Sequence, residues 1–283
     1  MSVPPLSTLI IEPLVRAALI EDLGRAGDIT TDAIVPGEAR AETALVARAP
    51  GLVAGLDLAL LAFRLIDPAI MATVRLPDGA RVSSGDVIAT VSGPARGILT
   101  AERVALNLLC HLSGVATATA AVVEAVQGTR VRITCTRKTM PGLRTVQKYA
   151  VRVGGGANHR YGLDDAVLIK DNHIAAAGGI GPAVQRVRAG IGHLVKVEVE
   201  VDTLGQIEDA LAAGADAVLL DNMEPEALRR AVATVDSRAV TEASGGITPA
   251  TAPAVAATGV DLISIGWLTH SVTALDIGLD YRA

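Results

Sequence analysis

Six points along the chain concentrate the residues able to do chemistry: Thr136-Arg137-Lys138, Lys170-Asp171-Asn172-His173, Glu200, Asp221-Asn222, Ser244-Gly245-Gly246 and Gly266-Trp267. Cations come first, acids in the middle and glycines last. That order offers cationic side chains for carboxylates, an acidic pair (Glu200 and Asp221) able to hold a divalent cation, and two late loops whose backbone amides suit phosphate. All four lysines, Lys138, Lys148, Lys170 and Lys196, fall in one central stretch, whereas the 21 arginines are spread along the chain. An ammonium is a compact, strongly hydrated point charge and a guanidinium is a planar fork, so confining lysine to one region marks where the difference matters. Residues 130 to 173 hold nine Lys or Arg against Asp164, Asp165 and Asp171, a local +6 in a chain of net charge −5. A cationic concentration within an acidic protein focuses its field on a small anion rather than coating a polyanion.

These points must be positioned by regular elements. Short apolar runs at 131 to 136, 166 to 170, 194 to 201, 216 to 221, 239 to 243 and 260 to 265 read as strands, and helical patterns lie between them. Pro141 suits the start of the first such helix and Gly154 its end, while Thr203, Glu224 and Thr248 precede the next three. Alternating strand and helix predicts parallel strands joined by crossover helices, and about six such units fit a closed or nearly closed α/β barrel. The six chemical points then fall at the C-terminal ends of the strands, where barrel active sites gather. Lys196-Val197-Glu198-Val199-Glu200-Val201 sharpens the choice. Its period-two alternation puts Lys196, Glu198 and Glu200 on one face and valine on the other; a doubly wound sheet would bury both faces as apolar, whereas a barrel can turn charge into its lumen.

Residues 1 to about 111 read as a separate α+β domain, with Asp78-Gly79-Ala80 and Ser84-Gly85-Asp86 turns bracketing short β runs before a helix from about Thr100. The string DGARVSSGDVIATVSG resembles half of a biotinyl- or lipoyl-type β sandwich, but no lysine precedes Lys138 to carry a prosthetic group. Half the chain is hydrophobic, so a sizeable core can form. With five aromatic residues there are no stacking platforms for nucleic acid. Cys110 and Cys135 make no disulfide framework, no basic region followed by an apolar run opens the chain, and no uncharged apolar stretch of about 18 residues is evident; the expectation is a cytoplasmic protein with no membrane partner. Gly154-Gly155-Gly156 lacks dinucleotide-loop spacing and reads as a helix stop, Asp164-Asp165 as a turn, and His111, His193 and His270 as structural or exposed.

Longer strings carry a family resemblance: EDLGRAGDITTDAIVP, AERVALNLLCHLSGVAT, TRKTMPGLRTVQKYAV, GGGANHRYGLDDAVLIKDNHI, KVEVEVDTL, AVLLDNM, EASGGI and ISIGWLTHS. In this order, across nearly the whole chain, they resemble quinolinate phosphoribosyltransferase. The resemblance implies an N-terminal α/β sandwich domain (1 to 111, with 268 to 283 returning to complete it) and an incomplete α/β barrel (112 to 267). It implies transfer of phosphoribosyl from phosphoribosyl pyrophosphate to quinolinate with decarboxylation, giving nicotinate mononucleotide, pyrophosphate and carbon dioxide in NAD biosynthesis.

Carried over position by position, the resemblance assigns Thr136, Arg137, Lys138, His159, Arg160 and Lys170 to the quinolinate pocket, joined by Arg103 from the neighbouring subunit of a homodimer. Glu200 and Asp221 would serve the ribose and a Mg2+ ion, directly or through water, with no tightly bound organic cofactor. Ser244, Gly245 and Gly246, with Ile265, Gly266 and Trp267, would bind the ribose phosphate through backbone amides. Trp267 departs from the family pattern, which more usually has a small residue there; its indole would either narrow the site or pack against the sandwich domain. The competing readings are a paralogue acting on another carboxylated substrate and a non-catalytic ligand-binding subunit.

Overall fold

The structure, a computed structural model, describes residues 3–281. The contacts divide the chain into two compact units. One comprises the residues up to Ala120, Met140–Gly155 and the residues from Thr269 on; the other comprises Ala121–Thr139 and Gly156–Leu268. The expected division at 111/112 falls inside a continuous helix, and the segment containing the helix after Pro141 groups with the N-terminal unit rather than the barrel.

The N-terminal unit contains α1 (Thr8–Leu23), α2 (Ile29–Ile34), β1 (Arg40–Ala47), β2 (Gly51–Leu52), α3 (Leu56–Ile66), β3 (Met71–Val74), β4 (Arg81–Val82), β5 (Val87–Pro94) and most of α4 (Ala95–Ala125). The remaining elements in chain order are β6 (Arg132–Thr134), α5 (Arg144–Val153), β7 (Val167–Ile169), α6 (Asp171–Ala177), α7 (Ile180–Gly190), β8 (Val197–Val201), α8 (Gly205–Ala212), β9 (Ala217–Asp221), α9 (Pro225–Val235), β10 (Val240–Ser244), α10 (Ala252–Ala256), β11 (Leu262–Ser264), α11 (Trp267–His270) and β12 (Ile277–Tyr281).

An antiparallel sheet of order β12-β1-β5-β3 organises the first unit, so the C-terminal tail completes the N-terminal sheet as a strand beside β1. Buried Leu56, Leu58, Leu61 and Phe63 of α3 fill its core. The start of α3 lacks a cap of its own; Asp78, 22 residues on, accepts the Gly55 and Leu56 amides at 2.8 and 3.0 Å and the Tyr149 hydroxyl at 2.9 Å. Removing these three bonds should exceed the cost of losing an ordinary cap. Asp78→Ala is therefore expected to cost about 2 kcal/mol, read as a fall of roughly 5 °C in the unfolding midpoint. Helix α5 buries Val146, Gln147, Lys148, Tyr149, Ala150 and Val151 in succession, too broad a band for one amphipathic stripe. Gln147 donates to the Thr269 carbonyl at 2.7 Å and bonds His111 at 2.8 Å. Contrary to the sequence expectation, α4 is long and apolar enough to cross a bilayer; 61% of its apolar window is buried, which marks a core helix.

In the second unit six parallel strands run in the order β6-β11-β10-β9-β8-β7. Each strand pairs with its sequence neighbour except β6 with β7, and the ladder closes instead through β11 and β6. This is the expected incomplete α/β barrel. On β8, Val197, Val199 and Val201 are fully buried, while Glu198 and Glu200 occupy the alternate face. Lys196 does not join them: exposed ahead of the strand, it pairs with Asp216 at 2.7 Å. Burial opposes ionisation of Asp216, but hydrogen bonds from Lys196, the Val197 amide and Arg188 outweigh it and bring that carboxyl down to about 2.

Candidate active site

The C-terminal rim of the barrel is assembled from strand ends and the turns that follow them. Beyond β6 the chain turns sharply, with the Lys138 amide donating to Thr136 Oγ1 at 3.0 Å and the Thr139 amide to the Arg137 carbonyl at 2.9 Å. Where β7 would close the barrel, residues 157 to 160 run beside β6 instead. The Ala157 amide donates to Ile133 O at 2.7 Å, the Cys135 amide to Ala157 O at 3.3 Å, and Cys135 Sγ lies 3.4 Å from Asn158 Oδ1. This pairing carries His159 and Arg160 alongside Thr136 and Arg137.

Arg160 donates from one terminal nitrogen to the Ala166 carbonyl at 3.0 Å. Its Nε, and that of Arg137, are buried without a hydrogen-bond partner. Burial depresses the Arg160 pKa, and the charge of Arg137 depresses it further, against partial relief from Glu198 and Asp165. Two guanidinium groups that repel each other while keeping buried donors unused are organised for an anion, because an orphaned buried donor costs the full desolvation of that group.

Around the rim, the Lys170 ammonium forms an ion pair with Glu200 at the end of β8. The Lys170 amide donates to His173 Nδ1 at 3.0 Å, fixing the start of α6. Asp221 ends β9 and accepts from Asn222 Nδ2 at 2.7 Å. Asn222 adopts φ 51°, its amide donating to Ser244 O at 2.9 Å, which ties the β9 and β10 ends together. Gly245, at φ 107°, lies against Asn222 so closely that a Cβ there would sit 2.1 Å from Asn222 Oδ1. Ile265 donates its amide to Thr134 O at 3.0 Å, joining the β11 end to β6. Trp267 donates its indole N–H to the Ile247 carbonyl at 2.9 Å. The ring therefore tethers the loop after Gly246 to the loop after β11.

Thr136, Arg137, Lys138, His159, Arg160, Lys170, Glu200, Asp221, Ser244, Gly245, Gly246, Ile265, Gly266 and Trp267 thus all belong to the barrel unit, on strand ends or rim loops. Arg103 does not: it lies exposed on α4 of the N-terminal unit, in a groove with Asp22, Asp28, Ile29 and Thr100. Lys148 is fully buried on α5 in that same unit. Two acids received no role from the sequence, Glu198 and Glu242. His159 bonds Glu198 at 2.9 Å and lies 3.7 Å from Glu242, the one set of three with metal-ligand spacing among the described residues. The available signal for Glu242 was an acid in the middle of an otherwise uncharged strand.

With this geometry in view, the comparisons with known proteins converge. The chain matches the family model of the quinolinate phosphoribosyl transferase N-terminal domain over residues 28–113 and that of the C-terminal domain over residues 115–280. A nicotinate-nucleotide pyrophosphorylase (carboxylating) from Mycobacterium leprae is 50% identical over 271 residues, covering 94% of this chain and 95% of that protein. The crystal structure of NadC from Streptococcus pyogenes superposes with a TM-score of 0.94 at 42% identity, covering 99% of this chain and 100% of the other. The nicotinate-nucleotide pyrophosphorylase from Francisella tularensis gives 0.94 at 38% identity, over 100% and 99%.

Proposed function

The chain belongs to the quinolinate phosphoribosyltransferase family, and we infer from that membership and from the barrel rim how it works. It is an enzyme that transfers phosphoribosyl from phosphoribosyl pyrophosphate to quinolinate with decarboxylation, yielding nicotinate mononucleotide for NAD biosynthesis. The observation that carries the site assignment is the pair of mutually repelling guanidiniums, Arg137 and Arg160, with buried unused donors. Two vicinal carboxylates on a pyridine ring are the complementary charge. Thr136 and His159 border this pair, and Lys138 and Lys170 add compact point charges.

The ring nitrogen is the nucleophile, so no side-chain nucleophile is needed. It bonds to the anomeric carbon as the bond to pyrophosphate breaks, and positive charge spreads over the ribose. Glu200 and Asp221 supply negative charge for that sugar, while the cations hold quinolinate in line; positioning and electrostatics account for the acceleration. Once the nitrogen is quaternary and cationic, the neighbouring carboxylate leaves as carbon dioxide, and the electron pair left on the ring carbon is stabilised by that nitrogen until protonated. The amides of residues 244 to 246, 266 and 267 form the ribose-phosphate subsite, with Trp267 keeping the two loops in register; contrary to the sequence expectation, the Ile265 amide is not among them, because it is spent on Thr134 O in the strand ladder.

Two hard carboxylate donors, neither part of a three-residue cluster, fit Mg2+, which keeps most of its waters and takes few protein ligands besides substrate phosphates. When bound, Mg2+ neutralises the leaving pyrophosphate. Arg103 completes the carboxylate pocket of the neighbouring subunit in a homodimer; exposed Ile20, Ile29 and Ile34 on α1 and α2 offer apolar surface on the unit that carries it. The setting is cytoplasmic.

Purified protein given quinolinate, phosphoribosyl pyrophosphate and Mg2+ should release nicotinate mononucleotide, pyrophosphate and carbon dioxide in equal amounts; consumption of pyrophosphate donor without carbon dioxide would refute the assignment. Lys138→Ala and Arg103→Ala should each lower kcat/KM at least about tenfold, roughly 1.4 kcal/mol of transition-state stabilisation. Near-parental kinetics would remove that residue from the site.

A further inference from the structure

One carboxylate on the barrel rim has a geometry that the reaction scheme leaves unused. Asp165 accepts the Tyr161 amide at 2.7 Å through one oxygen and the Gly162 amide at 2.9 Å through the other. Both donors precede it in the chain, by four and three residues, whereas an aspartate in an ordinary turn accepts from an amide that follows it. The loop therefore folds back on itself directly behind Arg160. Its far end is rigid, because the Val167 amide at the start of β7 donates to Lys196 O at 3.0 Å in the barrel ladder. Ala166, between Asp165 and that strand, offers its carbonyl to the Arg160 guanidinium at 3.0 Å. Arg160 is thus tied twice to one fixed strand end, by its side chain through Ala166 and by its backbone through the two amides that Asp165 holds.

We infer that Asp165 is a positioning residue that locks residues 160 to 166 into a closed loop and so presents the Arg160 guanidinium in one orientation beside Arg137. An arginine side chain has large rotamer freedom, which must be surrendered when its fork meets a carboxylate; restraint imposed before binding therefore favours binding. The bonds from Tyr161 and Gly162 to a carboxylate are charge-assisted, which suits them to hold a loop on the surface. Charge alone predicts the opposite effect. Asp165 acts on the Arg160 guanidinium as a nearby anion, so its removal would leave the rim more positive and, by Coulomb attraction, more favourable to a dicarboxylate. Asp164 separates the two effects: it is exposed on the same loop and carries the same charge, but the Tyr161 and Gly162 amides go to Asp165.

This inference rests on Arg160 being a quinolinate-binding group. Asp165→Ala should raise KM for quinolinate about tenfold while KM for phosphoribosyl pyrophosphate moves less than about twofold. Asp164→Ala should leave KM for quinolinate at or below the parental value. A quinolinate KM for Asp165→Ala at or below that of the parent would overturn the inference, because charge would then account for the residue. A matching rise for Asp164→Ala would overturn it too, as would an equal rise in both KM values for Asp165→Ala, since a general loss of structure is not selective. Amide hydrogen exchange reads the loop without turnover: the Tyr161 and Gly162 amides should exchange at least about tenfold faster in Asp165→Ala, and unchanged exchange would contradict the proposed lock. If the parent itself fails to use quinolinate, the functional reading falls first, and the exchange result still judges the loop.

Discussion

Arg137→Ala should lower kcat/KM for quinolinate by about a thousandfold, the larger part of it as weaker quinolinate binding. The parent side chain sits on the rim beside a second guanidinium, and its Nε–H is buried with no protein acceptor. In the proposed site, truncation would remove a charge-assisted, fork-shaped contact and leave one substrate carboxylate desolvated and unpaired. Losses of this kind run to about 2–5 kcal/mol, and about 4 kcal/mol corresponds to a thousandfold. Arg137→Lys keeps the charge but not the planar fork, and should fall between the parent and alanine. Steady-state kinetics with both substrates varied, together with calorimetric quinolinate binding, measures this. An alanine variant within threefold of the parent would show that Arg137 does not meet the substrate.

Gly245→Ala should cost at least about a hundredfold in kcat/KM for phosphoribosyl pyrophosphate. The backbone there is at φ 107°, a region that side chains rarely adopt, with a penalty of roughly 1–3 kcal/mol. The new methyl would also stand 2.1 Å from Asn222 Oδ1 and 3.1 Å from Asn222 Cα. Asn222 can swing its side-chain amide aside only by giving up the hydrogen bond to Asp221, and its Cα is held by the hydrogen bond its backbone N–H donates to Ser244 O. The substitution therefore disturbs the acidic rim position and the glycine loop together. Gly246→Ala is the informative control: at φ 59° it carries backbone strain, but a methyl there meets nothing within 4 Å. Its loss should be smaller, and parity between the two variants would contradict the steric account.

The barrel was legible because β8 writes its two faces in alternate residues, valines to the helices and glutamates to the lumen. The rim was legible for a related reason: where an apolar strand ends, polar residues begin, and six strands ended in chemically distinctive ones. Periodicity does not report which body an element packs against. Helix α5 thus groups with the N-terminal unit although it follows a barrel strand, and takes Lys148 into that core. Lysine clustering was half informative: Lys138 and Lys170 sit on the rim, whereas Lys196 falls one residue before β8 and turns outward to Asp216. Glu198 and Glu242 acquire meaning only through His159, a neighbour 39 residues from the first and brought there by a loop pairing with β6. No local pattern encodes such a contact.

The most direct test compares quinolinate with nicotinate as acceptors under identical phosphoribosyl pyrophosphate and Mg2+. The two rings differ by a single carboxylate, the group that we propose the second guanidinium binds. A buried charge left without its partner should cost enough to favour quinolinate by at least about a hundredfold in kcat/KM. Equal use of the two acceptors would mean that Arg137 and Arg160 do not share a dicarboxylate.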